Sequence, residues 1–153
     1  MPRRFTNYEL ARSVAIGLVT ALLVSVVMVN AYQAGLVPLP EPLPVAFAGR
    51  LFGAAFQFSN GILLQFGWIT FWSLAYVLLV RHHTFVNALR LALALWVGVL
   101  VIFFPLVGWG VFGVALGPGL VPPLVALVPH LLFAVIVWAL GRHTGPADVV
   151  APA

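Results

Sequence analysis

The sequence predicts an all-α fold class, a four-transmembrane-helix up-and-down bundle, from three observations. Four long apolar stretches lie near residues 10–33, 56–80, 86–109 and 121–140, and a helix needs about 20 apolar residues to cross a bilayer. Hydrophobic residues make up 63% of the chain and charged residues 7%, whereas soluble domains average about 45–50% apolar and about 25% charged residues. The few charges also lie at the ends of the apolar stretches. We therefore expect a single membrane domain over residues 1–153, with a flexible tail at residues 144–153.

The arginines predict the orientation of this bundle. Six of them lie before the first span, between the second and third spans, or after the fourth: Arg3, Arg4, Arg12, Arg81, Arg90 and Arg142. Because basic residues favour cytoplasmic loops, we expect a multi-pass protein of the bacterial inner membrane with both termini in the cytoplasm. The residues expected to anchor the helices at the membrane interface are Arg12, Arg50, Arg81, Arg90 and Arg142. Scattered arginines form no basic face, so nucleic acid is not an expected partner.

The connection between the first two spans contains a segment that cannot be helical. Prolines occur at every second position from Pro38 to Pro44, which favours extended backbone. Residues 45–80 would be about 54 Å long as one helix, well beyond a hydrocarbon core of about 30 Å. We therefore expect residues 46–55 to be either a separate interfacial helix or the protruding start of the second span, with Arg50 reaching headgroups or pairing with Glu41.

Polar and aromatic residues share one face of the second span. They recur at three- and four-residue intervals, with Asn60 at the margin: Gln57, Gly61, Gln65, Trp68, Trp72 and Tyr76. An amide in hydrocarbon is costly unless it is hydrogen-bonded. The stripe therefore predicts contact with another helix, with a water-filled cavity or with a bound polar group.

Proline and glycine punctuate the second half of the chain. Pro105 predicts the end of the third span or a kink in it, and the glycine-rich residues 106–119 predict a tight turn packed against protein. Pro122 and Pro123 suit the first turn of the fourth helix, and Thr84 could cap the third. The glycines expected to let helices or loops approach closely are Gly49, Gly53, Gly61, Gly108, Gly110 and Gly113.

His130 lies near the middle of the fourth span, after a helix-kinking Pro129. Gln65 is expected at a similar depth in the second span, so we predict that Gln65 and His130 meet. The candidate intramembrane polar residues are thus Gln57, Asn60, Gln65 and His130. A histidine there is either structural, or contacts a haem, pigment or quinone, or transfers protons. No cofactor, metal site or catalytic residue is predicted, because the three carboxylates lie outside the spans and the chain has no cysteine.

Two motifs give a resemblance to known proteins. Residues 103–113, which read Phe-Phe-Pro-Leu-Val-Gly-Trp-Gly-Val-Phe-Gly, are followed by Pro129-His130-Leu131-Leu132 and the rest of an apolar span. This pattern resembles a group of small four-helix integral membrane proteins of bacteria, which have a Pro-Leu-x-Gly-x-Gly-x-Phe-Gly turn and a His-Leu pair in the last helix. The resemblance implies the same four-helix fold. In that group a histidine is expected where this chain has Asn60 and Gln65.

These observations predict a non-enzymatic integral membrane protein. The first hypothesis is an accessory or structural subunit that packs against a larger respiratory or photosynthetic membrane complex. The alternatives are a small transporter or channel that acts as an oligomer, and a subunit that contacts quinone, haem or pigment through His130. The expected partners are therefore the lipid bilayer and either other membrane subunits or further copies of the chain.

Overall fold

The computed structural model describes residues 6–117 and 119–142, which are mostly helical. The α-helices in these ranges are α1 (Asn7–Gln33), α2 (Leu43–Phe52), α3 (Gln57–Leu79), α4 (Phe85–Gly98), α5 (Phe104–Leu106) and α6 (Val121–Gly141). Four segments are long and apolar enough to span a membrane: Asn7–Gln33, Ala54–Leu79, Phe85–Leu106 and Val121–Gly141. The all-α class and the four long apolar helices are thus confirmed. The predicted tail at residues 144–153, together with Arg3 and Arg4, lies outside the described residues.

Local sequence signals set the starts of three long helices. The Thr6 hydroxyl accepts a hydrogen bond from the Glu9 backbone N–H, and the Glu9 carboxylate accepts one from the Thr6 backbone N–H, which forms a capping box. The Thr84 hydroxyl caps α4 by accepting from the Asn87 backbone N–H, as the sequence predicted. The prolines at the start of α6 occupy its first turn, where a missing N–H leaves no intrahelical bond unmade.

Pro105 changes the third long helix without ending it at that point. The segment Val99–Phe103 widens into a π-helical turn, and the short helix α5 follows it. Proline has no N–H and its ring collides with the carbonyl one turn earlier, so a wider turn just before it relieves the clash. The helical segment ends at Leu106 instead of near residue 109, because Gly108 and Gly110 adopt φ values of 85° and 73°.

Of the two alternatives for residues 46–55, the structure has a separate helix, α2, which covers Leu43–Phe52 and forms a hairpin with the start of α3. The ideal Cβ position of Gly61 is 2.9 Å from the Val45 Cα, and that of Gly49 is 2.7 Å from the Gln57 Oε1. These two contacts show that α2 and α3 run in opposite directions. Gly53, with a φ of 82°, ends α2 and separates the two helices.

The long helices pack as two pairs. α3 packs mainly against α1 and α2, α4 packs mainly against α6, and α1 joins the pairs through its contact with α6. Two buried apolar clusters lie along the bundle. We call the end of the bundle that holds one cluster the proline end; this cluster includes Ala46, Leu100, Phe104 and Ala126. We call the opposite end the arginine end; its cluster includes Ala21, Ile69, Tyr76, Ala88, Phe133 and Val137.

Candidate functional site

The polar and aromatic stripe of α3 faces protein along much of its length. At the proline end, Gly61 is buried against the backbone of Pro44 and Val45. At the arginine end, Tyr76 is fully buried and its hydroxyl donates a hydrogen bond to the Thr84 carbonyl over 3.1 Å. The two ends of the stripe therefore contact α2 and the turn into α4, and Gln65 lies between them.

Gln65 and His130 lie at the same level of the bundle. α3 and α6 run in the same direction, since the cluster at the arginine end contains the late residues Tyr76 and Val137. The ideal Cβ position of Gly141 is 3.3 Å from the Tyr76 ring, which fixes the register between the two helices. Gln65 precedes Tyr76 by 11 residues and His130 precedes Gly141 by 11. At a rise of 1.5 Å per residue, both therefore lie about 16 Å from that contact.

No hydrogen bond joins Gln65 to His130 among the described residues. Instead, the His130 Nδ1 donates to the Ala126 carbonyl, one turn earlier in the same helix, over 2.7 Å. Because a carbonyl oxygen can only accept, Nδ1 carries the proton, and in the neutral ring Nε2 is then an acceptor. Nε2 has no partner in the described part of the chain, and neither has the Gln65 amide.

His130 is part-exposed although its helix face is buried. Ala126, Phe133 and Ala134 are 8%, 5% and 0% exposed, and they share this face of α6 with the histidine. His130 itself lies in the intermediate range of exposure. His130 is therefore the part-exposed residue of an otherwise buried face, between Ala126 of one apolar cluster and Phe133 of the other.

Aromatic side chains fill the space between α3, α2 and the π-helical turn that follows α4. The Trp68 ring packs edge-on against the Phe103 ring at 5.3 Å between centroids and against the Trp72 ring at 5.6 Å. The Phe103 ring also packs against Phe47 of α2 at 5.2 Å. We call the Phe47, Trp68, Trp72 and Phe103 side chains the aromatic seam. Trp68 remains 40% exposed, and the Trp72 indole N–H is buried with no hydrogen-bond partner in residues 6–117 and 119–142.

The remaining predicted residues have varied surroundings. Arg50 donates a hydrogen bond from Nη2 to the Val107 carbonyl over 3.2 Å, which joins α2 to the turn after α5. The Arg142 guanidinium lies 5.4 Å from the centre of the Trp138 ring. Arg12, Arg81 and Arg90 are exposed residues of α1, of the turn between α3 and α4, and of α4. Asn60 of α3 is part-exposed and has no hydrogen-bond partner among the described residues.

The glycines divide into close contacts and turns. Gly61 and Gly49 lie where α2 and α3 meet, and the ideal Cβ of Gly113 is 2.7 Å from Pro122 at the start of α6. Gly108 lies against the Arg50 guanidinium, and Gly110 contacts only its own turn. Gly53 has open space around its Cβ position, so it serves to end a helix.

Sequence reasoning missed a close contact between α1 and α3. The ideal Cβ of Gly17 is 3.0 Å from the Thr70 Cα and 2.9 Å from its Cγ2. Ser13, Gly17 and Ala21 are small, lie four residues apart and are all buried. That spacing was the available signal, because small residues at four-residue intervals let helices approach closely.

The structure also shows a hydrogen bond between α4 and α6 that no motif indicated. The Trp96 indole N–H donates to the Pro123 carbonyl over 2.9 Å. In the part of the chain that the structure describes, no three histidine or carboxylate side chains cluster as a metal site would require. The chain matches no protein-family model, no curated protein and no solved structure.

Proposed function

We propose that this chain is a non-enzymatic accessory subunit of a larger membrane complex, and that its four long helices cross the bilayer as an up-and-down bundle. The partner is a transmembrane helix of a different polypeptide, and it packs on the outward face of α3. One observation supports this proposal most strongly. The outward face of α3 holds an amide with which lipid chains cannot form hydrogen bonds and a glycine that allows the close approach of another helix.

Asn60 supplies the polar part of this face. The segment Ala54–Leu79 is about 39 Å long as a helix, so a centred hydrocarbon layer of about 30 Å covers residues from about 57 to 76. Asn60 then lies inside the layer, and its amide has no hydrogen-bond partner in the described chain. A lipid tail offers neither donor nor acceptor, whereas a partner helix offers both.

The rest of the same face is shaped for a helix. Gly67 follows Asn60 by seven residues and Phe71 follows Gly67 by four, so the three share one side of α3. The Gly67 Cβ position has no neighbour within 4 Å, which leaves room for a close backbone. A shallow apolar groove continues from there along Phe71, Leu74, Ala75, Leu78 and Leu79. Among the four membrane-length segments, that of α3 is also the least buried, at 17%.

The proposed orientation places both termini in the cytoplasm of a bacterial cell, in its inner membrane. Support comes from Arg81 in the turn between α3 and α4, from Arg90 near the start of α4 and from Arg142 after α6. These residues belong to the same end of the bundle. Basic residues on one side of a membrane protein favour the cytoplasm.

Photo-crosslinking tests the proposed partner directly. A photoreactive phenylalanine analogue replaces Phe71, which is 59% exposed on the same face, in the native membrane, and crosslinked products are identified by mass. We expect one defined polypeptide, different from this chain, whose crosslink is lost when Asn60→Leu is added. The matched control position is Val97 of α4, which is 46% exposed, and it should not give that product.

Other products would contradict the accessory role. Crosslinks to lipid alone would show that the α3 face is covered by the bilayer. Crosslinks to a second copy of the chain would indicate a homo-oligomer, and solute flux through liposomes containing the purified chain would then support the transporter or channel alternative.

A further inference from the structure

The residues at the same level of the bundle as His130 support a second inference. It does not depend on the proposed partner and assumes only that the bundle lies in a membrane. We propose that His130, Gln65 and the aromatic seam form a binding site for a lipophilic hydroquinone. In this site a ring hydroxyl donates a hydrogen bond to His130 Nε2, and the hydroxyl oxygen accepts one from the Gln65 amide.

The fixed state of the His130 ring determines what it can bind. Its Nδ1 proton is held by the Ala126 carbonyl at 2.7 Å, so the neutral ring offers Nε2 as an acceptor only. Nε2 lacks a partner in the described chain, and in hydrocarbon an acceptor without a partner is costly. The complementary group is therefore a hydrogen-bond donor such as a hydroxyl.

Gln65 supplies the second polar contact at the same level. The contact of Gly141 with Tyr76 sets the register of α3 and α6 and places Gln65 at the same level of the bundle as His130. Its amide can both donate and accept, and it has no partner in the described residues. A hydroxyl placed between the two side chains satisfies both, since it donates to Nε2 and accepts from the amide N–H.

The apolar surroundings indicate the rest of the ligand. Trp68 is one turn from Gln65 on the same face of α3, is 40% exposed and packs against Phe103. Aromatic rings prefer stacked or edge-on contact with other aromatic rings. The buried, unpaired indole N–H of Trp72 adds a donor in the same seam. A hydroxylated aromatic ring with an alkyl tail combines these properties.

The inference predicts a preference between two forms of one ring. A quinone has only carbonyl oxygens, which cannot donate to Nε2, whereas a hydroquinone can. The bound form should therefore be the hydroquinone. No electron transfer by the protein is proposed.

A binding titration on the intact protein in nanodiscs tests the site. The probe is decylhydroquinone, the comparison ligand is the same molecule with both hydroxyls methylated, and tryptophan fluorescence reports binding. We expect the methylated ligand to bind the unaltered protein at least about tenfold more weakly, the effect of one lost hydrogen bond to a buried group. This comparison uses only the unaltered protein, so the failure of a variant to fold cannot affect it.

Variants then assign the contacts. His130→Phe and Gln65→Leu should each weaken decylhydroquinone binding about fivefold or more and leave the methylated ligand unchanged. The matched control is His82→Phe, which alters an exposed histidine in the turn before α4 and should change neither affinity. Equal binding of both ligands, or unchanged binding by His130→Phe, would overturn the site. So would a visible absorption band of the purified protein that disappears in His130→Phe, since it would assign Nε2 to a porphyrin metal.

Discussion

The two sides of α3 are packed by different means. Toward α1, the contact is between backbones, because Gly17 leaves no side chain between its own helix and Thr70. Toward α4 and the π-helical turn that follows it, the backbones stay apart, and the rings of Trp68 and Phe103 fill the space at 5.3 Å between centroids. We call the contact of Gly17 with Thr70 the rigid seam of α3. We call the side of α3 that is packed by the rings of Trp68 and Phe103 its deformable seam.

The difference has consequences for both stability and function. A backbone contact cannot yield, so an added methyl group must move a whole helix. Side chains can change rotamer, so a seam made of rings tolerates changes in volume and can open locally. The candidate polar site borders the second kind of seam, where Trp68 is 40% exposed.

The largest expected effect comes from substituting the glycines of the rigid contacts. In Gly61→Ala the new methyl group would lie 2.9 Å from the Val45 Cα, and in Gly17→Ala 3.0 Å from the Thr70 Cα. Each should lower the free energy of unfolding by about 1–3 kcal/mol, the usual cost of overpacking. Unfolding by SDS titration in mixed micelles measures the change.

Gly67→Ala is the matched control for these two variants. It lies in the same helix as Gly61, but its Cβ position has no neighbour within 4 Å. Alanine is also the better helix former, so stability should stay the same or rise. A loss in Gly67→Ala equal to that in Gly61→Ala would show that helix flexibility, and not close contact, accounts for the effect.

The structural features that could be predicted from the sequence are those determined by residues close together in the chain. The four long helices, the Thr84 cap and the prolines in the first turn of α6 follow from neighbouring residues, and the sequence was sufficient to predict them. The pairing of α3 with α1 and its distance from α4 depend on which faces meet. Every long helix here is apolar on most sides, so hydrophobic periodicity does not single out one face.

The candidate site shows the same limit. The shared level of Gln65 and His130 could be predicted, because depth follows from counting residues along helices of known rise. Their lack of a hydrogen bond could not, since the Ala126 carbonyl is a nearer acceptor for the His130 ring. Most side-chain hydrogen bonds go to backbone or water instead of to other side chains.

A smaller effect is expected from the aromatic seam. Phe103→Leu keeps an apolar side chain but removes the edge-on contacts of this ring with Phe47 and Trp68. The free energy of unfolding should fall by about 1 kcal/mol, since an aromatic pair contributes about 0.5–1.5 kcal/mol beyond its buried area. The same SDS titration measures it, and Trp68 fluorescence should shift.

Val101→Leu is the control for that variant, because it changes an exposed side chain of the same π-helical turn. It should leave both stability and fluorescence unchanged. If Phe103→Leu were as destabilising as Gly17→Ala, the aromatic contact of α3 would be as rigid as its contact with α1, and the comparison would fail.

The smallest effect is expected from the hydrogen bond that joins α3 to the start of α4. The Tyr76 hydroxyl donates to the Thr84 carbonyl over 3.1 Å, so it joins α3 to the residue that caps α4. Tyr76→Phe removes this single bond and keeps the ring, and should cost about 0.5 kcal/mol, the low end of the usual range, because Thr84 is exposed and water can bond its carbonyl instead. Because the turn holds α3 and α4 at the arginine end only, hydrogen exchange should quicken at residues 80–88 and not in α1. Faster exchange throughout α1 would mean that this bond supports the whole bundle, and the rigid seam would then not be independent of the deformable one.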